Sequence, residues 1–358
     1  MTVSPASTAD SPADAADAAP EATPIRWGVL ATGRIARSVA RDLALVPGSV
    51  LTAVGSRRAE PAAEFAAWYA EETGAAAPRA HGSYEALVAD PEVDVVYLAS
   101  PHSHHLAHAR LAFEAGKHVL CEKPVTLTRA DAEEMVALAR RHDRFLMEAM
   151  WTACHPVVRA VLDRLATGEV GTPRMLRAEL GFVVGPDHPA RLLDPALGAS
   201  ALLDMGIYPL TLAHLVLGAP TELRATAALG EGGIDLDVAI AGRYPGDALA
   251  SLSASMTSWS DRSAMIATDR GRIVLHGQFH HPTHATFHPG GPSSPEPPVT
   301  IEPAEPVIGV GYGHEIAEVA RCLRAGLRES PWVPHAQTLA IMGQLDDVRA
   351  QIGVEHPA

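Results

Sequence analysis

Ile25-Arg26-Trp27-Gly28-Val29-Leu30-Ala31-Thr32-Gly33-Arg34-Ile35-Ala36 is the stretch on which the fold turns. Pro24 precedes a short apolar run, Ile25 to Leu30, that reads as a buried strand. Ile35, Val39 and Leu43 then recur at helical spacing. A strand, a tight turn and a helix in that order open a dinucleotide-binding α/β unit. Thr32, Gly33, Arg34 and Ile35 form the turn: Gly33 lets the backbone approach a pyrophosphate, and the orphan amides of the new helix suit an anion. The pattern is Ala-x-Gly-x-x-Ala, with Ala31 in the first glycine position. Alone it does not separate a cofactor loop from an ordinary strand-to-helix turn.

A second strand, Val50 to Val54, leads into Ser56-Arg57-Arg58, about 20 residues beyond Gly33, where such folds place their ribose reader. A hydroxyl and two guanidinium groups suit a 2′-phosphate, so NADP(H) is expected in preference to NAD(H). Glu60 is the residue that would reverse this by reaching a bare ribose. Asp94 to Ser100 reads as the next buried strand, broken by Pro101-His102-Ser103-His104-His105. Ser100, Pro101, His102 and His105 are therefore candidates for the cofactor cleft. Another strand follows in His118-Val119-Leu120-Cys121-Glu122 and ends in Lys123-Pro124. The alternating series delivers Glu122 and Lys123 to the crevice where open α/β sheets bind ligands. Thr128 to Asp131 has helix-capping spacing, and Phe145 to Glu148 reads as a further strand.

From Trp151 the organisation changes. Segments 177–182, 222–229, 235–244, 248–257, 263–268 and 273–275 look extended and are joined by Gly, Pro and Asp turns, which predicts a largely antiparallel sheet. Leu202 to Leu217 interrupts them as a helix, a Pro-rich loop is expected over 288–306, and two helices over 312–326 and 335–351 close the chain. Residues 1–23 lack the apolar side chains needed to offset ordering and read as a disordered tail.

At 358 residues with 47% hydrophobic content, two cores are expected. A formal net charge of -14 argues against nucleic acid or an anionic membrane as partner, and no apolar run reads as long enough to cross a bilayer. Cys121, Cys154 and Cys322 are too few and too scattered for a disulfide framework, and no secretory leader is evident, so a cytoplasmic location is expected.

With the Gly33 turn, Cys121-Glu122-Lys123-Pro124 and Asp204-Met205-Gly206-Ile207-Tyr208 in place, the chain resembles the Gfo/Idh/MocA oxidoreductase family. Runs such as Phe145 to Thr152, Ala201 to Tyr208 and Arg328-Glu329-Ser330-Pro331 are similar to its dimeric trans-1,2-dihydrodiol dehydrogenase branch. The resemblance implies an α/β protein: an N-terminal Rossmann domain, 24–150, and a C-terminal α/β domain, 151–358, with a large, mostly antiparallel open sheet used for dimer formation. It also implies a nicotinamide cofactor, with Lys123 and Tyr208 around the reacting oxygen. Asp204 lies one helical turn before Tyr208, on the same helix face. Where the branch continues Trp-Thr with Arg and aromatic residues, this chain has Ala153-Cys154-His155, which implies a different pocket.

The expected chemistry is hydride transfer between nicotinamide and a secondary alcohol or carbonyl of a sugar, cyclic trans-diol or dicarbonyl. Tyr208 is the candidate proton donor and Lys123 polarises the same oxygen and lowers the phenol pKa; the reverse assignment stays open. Trp151, His155 and Arg191 are candidate pocket residues because they flank the two motifs. The histidines at 102, 104, 105 and 108, and those at 280, 281, 284 and 288 in an expected loop, lack the cysteine or carboxylate framework of a metal site, so no metal is expected. Two rival readings are an NAD-dependent glycoside hydrolase working by transient sugar oxidation, and a non-catalytic ligand-sensing regulator.

Overall fold

The computed structural model describes residues 23–185, 188, 190–291 and 293–354. The tail expected over 1–23 lies outside these except for Thr23, and the Arg191 side chain lies outside them as well.

The first sheet contains β1 (Ile25–Leu30), β2 (Ser49–Gly55), β3 (Arg79–His81), β4 (Val95–Leu98), β5 (His118–Glu122) and β6 (Leu146–Ala149). All neighbours are parallel, in the order β3-β2-β1-β4-β5-β6. Helices cover both faces, which is why all four residues of β4 and of β6 are buried and their sequences show no alternation. Chain order reverses between β1 and β4, opening a crevice at their C-terminal ends. The Thr128 hydroxyl accepts from the Asp131 amide at 3.1 Å, so the cap read from the sequence forms. The Lys123–Pro124 peptide bond is cis.

The second sheet contains β7 (Pro173–Gly181), β8 (Glu222–Leu229), β9 (Asp235–Arg243), β10 (Leu249–Ser255), β11 (Ala264–Thr268), β12 (Gly271–Gln278), β13 (His281–Pro289) and β14 (Val299–Ile301). Its order is β14-β13-β12-β11-β7-β10-β9-β8, and only the β7–β10 pair is parallel. Along β10, Ala250, Leu252 and Ala254 face the core while Leu249 and Ser251 are exposed, the alternation of a sheet covered on one side. Helices Pro156–Ala166 and Ile207–Leu217 supply that cover.

Three sequence expectations are corrected. The histidine run expected as a loop is β13, and the expected Pro-rich loop contains the end of β13 and all of β14. Within β13 only Pro282 and Ala285 are buried, so the apolar alternation that signals a strand is missing. The run Pro195–Leu217 also has the length and mean hydropathy (1.4) of a membrane span, contrary to the expectation that none would. It is 78% buried inside the fold and acts as core.

Helix Gly313–Arg324 returns to the first sheet and packs beside helix Arg34–Leu43 and β2. Helix His335–Ile352 packs against both helix Arg129–Arg141 and β8. The end of the chain thus ties the two sheets together.

Candidate active site

A cleft of about 1160 Å³ runs from the β1–β4 crevice to the ends of strands β7, β11, β12 and β13 of the second sheet. Thr32, Gly33, Arg34 and Ile35 line one end, with Ser56 and Arg57 beside them; Ser100, Pro101, His102, Glu122, Lys123, Trp151, Asp204 and Tyr208 line the rest. Three sequence candidates do not line it. Arg58 is exposed at the start of the next helix, and the exposed Glu60 is likewise outside the cleft. His105 is fully buried, its Nδ1 3.0 Å from the Pro124 carbonyl and its Nε2 2.8 Å from the Ser100 carbonyl. It is therefore a stitch between the ends of β4 and β5. His155 is buried behind Trp151, at the head of helix Pro156–Ala166, where burial pushes its imidazole down to about 3. For Arg58 and His105 the preceding residue lines the cleft instead, and for His155 it is Trp151, four residues earlier.

The cofactor end fits a dinucleotide. A Cβ on Gly33 would meet nothing within 4 Å, so the backbone there borders open space, and no side chain caps helix Arg34–Leu43. Its first amides are left for an anion. Ala31 has φ of +80°, the left-handed conformation that glycine normally supplies at that position. Further along, Tyr84 and His108 meet edge to face at 4.8 Å, and His108 Nδ1 lies 2.9 Å from the Ser100 hydroxyl. The Arg57 charge lowers the pKa of both Tyr84 and His108, although burial is the larger influence on each, raising the phenol and lowering the imidazole.

At the other end Lys123 Nζ sits 4.6 Å from the centroid of the Tyr208 ring and donates to the Asp204 carbonyl at 2.8 Å. That carbonyl belongs to a π-helical turn, Leu202–Gly206. Its π-register donor would be residue 209, which is proline and has no N–H. The Asp204 carboxylate is 3.8 Å from His102 Nε2. Asp204 thus reaches Lys123 through its backbone carbonyl, with its carboxylate near His102 and both Asp204 and Tyr208 lining the cleft.

Trp151 Nε1 donates to Tyr208 Oη at 3.1 Å. The indole stacks on Tyr312 (4.1 Å, 17°) and on His281 (5.0 Å, 22°). Burial pushes the Tyr208 phenol well above its ordinary range, with Tyr312 and Glu122 adding to the effect. Burial thus outweighs the lowering expected of Lys123, whose ammonium lies over the ring face. Glu122 accepts a hydrogen bond from the Tyr97 hydroxyl, and the buried Glu148 accepts from the Val125 amide at 3.0 Å, holding the backbone just past Pro124.

Tyr312 was not legible as a site residue, and neither were Phe182, Arg262 and Gln278, which also line the cleft. The available signal was Gly309-Val310-Gly311-Tyr312-Gly313. At Gly311, φ is +120° and a Cβ would come within 3.2 Å of the Trp151 ring, so only glycine lets the loop run over the indole. The buried Asp42 carboxylate accepts from the amides of Val310 (3.0 Å), Gly311 (3.2 Å), Tyr312 (2.9 Å) and Gly313 (3.3 Å). Burial raises its pKa and these four amides oppose the rise. Among the described residues no group of three or more His, Cys, Asp or Glu side chains is arranged to hold a metal. His276 and His284 instead stack on one another at 4.2 Å.

A parallel dinucleotide sheet whose crevice leads to a lysine and a buried phenol defines an NAD(P)-dependent oxidoreductase. Residues 25–150 match the family model described as oxidoreductase family, NAD-binding Rossmann fold, and residues 158–277 match the GFO/IDH/MocA C-terminal domain. The chain is 34% identical to trans-1,2-dihydrobenzene-1,2-diol dehydrogenase from Bos taurus over 337 residues, covering 93% of this chain and 98% of that protein. It is 35% identical over the same length and shares to the Homo sapiens protein of that name. Among solved structures, KijD10, a 3-ketoreductase from Actinomadura kijaniata in complex with TDP-benzene and NADP, superposes with a TM-score of 0.78 at 27% identity, covering 92% of this chain and 98% of that one. An aldose-aldose oxidoreductase from Caulobacter crescentus shares the fold, with a TM-score of 0.80 at 23% identity, covering 92% and 97%. The chain belongs to the Gfo/Idh/MocA oxidoreductase family.

Proposed function

We propose that this protein is an NADP-dependent dehydrogenase or reductase acting on a secondary alcohol or carbonyl of a sugar, cyclic trans-diol or dicarbonyl. The observation that carries this reading is the Lys123–Tyr208–Trp151 cluster, built from both halves of the chain in the same cleft as the Gly33 turn. The names of the dihydrodiol dehydrogenase relatives and of the ketoreductase support the substrate range. When bound, the nicotinamide ring supplies or accepts the hydride. The protein's part is to place the substrate carbon and manage a proton. Tyr208, kept protonated by burial, donates from Oη to the carbonyl oxygen in reduction, and Trp151 Nε1 fixes the position of that oxygen atom. Lys123, tethered to the Asp204 carbonyl, places its positive charge beside the developing alkoxide.

Ser56 and Arg57 favour a 2′-phosphate and so NADP over NAD, in keeping with the NADP bound to the ketoreductase. Arg58, outside the cleft, is left out of that role. The division at Met150/Trp151 follows the change from the parallel to the mixed sheet. The uncovered outer face of the second sheet, with exposed Ala239, Ala241 and Ser251, suits a second copy and a homodimer, which light scattering tests. A cytoplasmic location is proposed on the composition and is checked by fractionation.

Lys123→Met and Tyr208→Phe are each expected to lower turnover by about 100-fold or more, with NADPH binding unchanged. Turnover is read from nicotinamide absorbance with NADP and NAD forms against sugars, dicarbonyls and cyclic trans-diols. Near-normal rates in both variants overturn the catalytic reading, and a clear preference for NAD(H) overturns the reading of Arg57.

A further inference from the structure

The substrate half of the cleft contains a cation to which the reaction described above gives no task. Arg262 lines the cleft where β11 begins, next to Gln278 at the end of β12 and His280 and His281 at the start of β13. Its φ is +52°, a left-handed conformation that a long side chain seldom adopts and that tends to persist at functional sites. The surrounding structure holds it there. The Arg262 amide donates to the Ser260 hydroxyl at 3.1 Å, and the Arg262 carbonyl accepts from the Phe279 amide at 2.9 Å.

The guanidinium is also fixed, since Nη1 donates to Gln278 Oε1 at 3.0 Å. That partner is neutral and uses one edge of a group that carries five N–H donors. Among the described residues no carboxylate lies within ion-pair distance of Arg262. Burial lowers the pKa of both His280 and His281, with the Arg262 charge adding to the effect, and the His280 ring is 4.8 Å from that of Tyr208. Arg262 and Tyr208 thus line one cleft, with His280 against the Tyr208 ring.

We propose that Arg262, aligned by Gln278, is a specificity-determining residue that binds a carboxylate on the substrate. The preferred substrates are then sugar acids and related hydroxy or oxo acids, in preference to their neutral counterparts. This rests on the oxidoreductase reading of the same cleft and narrows its substrate class. An arginine fork matches a carboxylate in two hydrogen bonds, whereas a neutral hydroxyl leaves its charge unused.

The test is calorimetric titration of the NADP-loaded enzyme with glucuronate and with glucose, alongside turnover of carboxylated and neutral cyclic diols. Arg262→Gly removes the guanidinium while suiting the left-handed backbone, so folding is kept, and Arg262→Lys keeps a charge without the fork. Wild type is expected to bind glucuronate at least about 10-fold more tightly than glucose, and R262G to lose about 10- to 100-fold for glucuronate alone. R262K should fall between the two, and NADP affinity should change by less than about 2-fold in both variants because Arg262 belongs to the second sheet and the Gly33 turn to the first. Equal wild-type affinity for both sugars, or an equal loss for both in R262G, overturns the proposal. Turnover of neutral diols without a carboxylate preference overturns it and leaves the catalytic reading standing. Selective glucuronate binding without turnover of any substrate supports Arg262 and defeats the roles given to Lys123 and Tyr208.

Discussion

Ala31 shows how one residue can keep a motif's geometry while losing its signature. The sequence places alanine where a glycine is usual, which weakens the turn as a sign of cofactor binding. The backbone nonetheless adopts φ of +80°, so the loop has the glycine shape at the expense of a Cβ clash. Ala31→Gly is expected to stabilise the protein by about 1 kcal/mol, the relief of left-handed strain less the added chain entropy. A urea melt reads this, and an unchanged or lower midpoint contradicts it. At this scale the sequence was informative wherever chemistry and backbone direction coincide, as at Gly33, Arg57, Lys123 and Tyr208. It misled at Arg58 and His105, each next to a cleft residue in the chain, and at His155, four residues after Trp151, because direction depends on local dihedrals that residue types do not reveal.

Helix Arg34–Leu43 is the element that joins cofactor and substrate ends. Its N-terminus opens on the cleft, and Asp42 near its C-terminus gathers four amides of the loop that lays Tyr312 against Trp151. Charge strengthens this acceptor: Oδ2 takes bonds from all four amides and Oδ1 shares that of Val310, whereas an asparagine offers one neutral oxygen and turns its NH2 toward the Val310 amide. Asp42→Asn should cost about 2 kcal/mol of stability. It should also lower kcat by about 10-fold, the effect of roughly 1.4 kcal/mol in the barrier, while the NADP KM moves little. Tryptophan fluorescence reports the displaced Tyr312–Trp151 stack. Wild-type stability and kinetics in this variant would show that the loop holds without the carboxylate. None of this was visible in the sequence, where Asp42 and Gly311 are separated by most of the chain. Nor was β13, whose histidines and prolines carry none of the alternation by which β10 could be read.

Over the whole molecule, buried and half-buried imidazoles set the acid limit. Burial pushes His108 and His118 down to about 4 and His155 down to about 3. A base with a depressed folded-state pKa contributes stability that is complete above about 6.5 and is lost as pH falls through the folded value. Glu148 runs the other way: burial pushes it up to about 7, so its contribution is complete below about 4.5 and lost as pH rises through about 7. Near pH 5.5 these four groups together leave the unfolded chain with about two more bound protons, so stability should fall by about 2–3 kcal/mol per pH unit on acidification. Glu148→Gln should steepen that fall by removing the opposing group. Chemical denaturation between pH 7 and 4 measures both slopes, and a flat profile would contradict the burial of these histidines. The two-sheet architecture itself was legible from strand spacing. The return of the last helices onto the first sheet was not, because packing partners far apart in the chain leave no periodic trace.

The burial of Pro195–Leu217 also has a consequence for how the chain is made. The apolar helix Ile207–Leu217 packs against β7, which is synthesised before it, and against β10, which comes after. At typical synthesis rates of about 5–20 residues per second, the stretch from Leu217 to Ser255 takes roughly 2–8 seconds to emerge. For that interval the nascent polypeptide presents, without its second cover, the segment whose composition most resembles a membrane span. The order of translation therefore makes this helix the point at which the newborn chain depends most on chaperones to avoid aggregation or mistargeting.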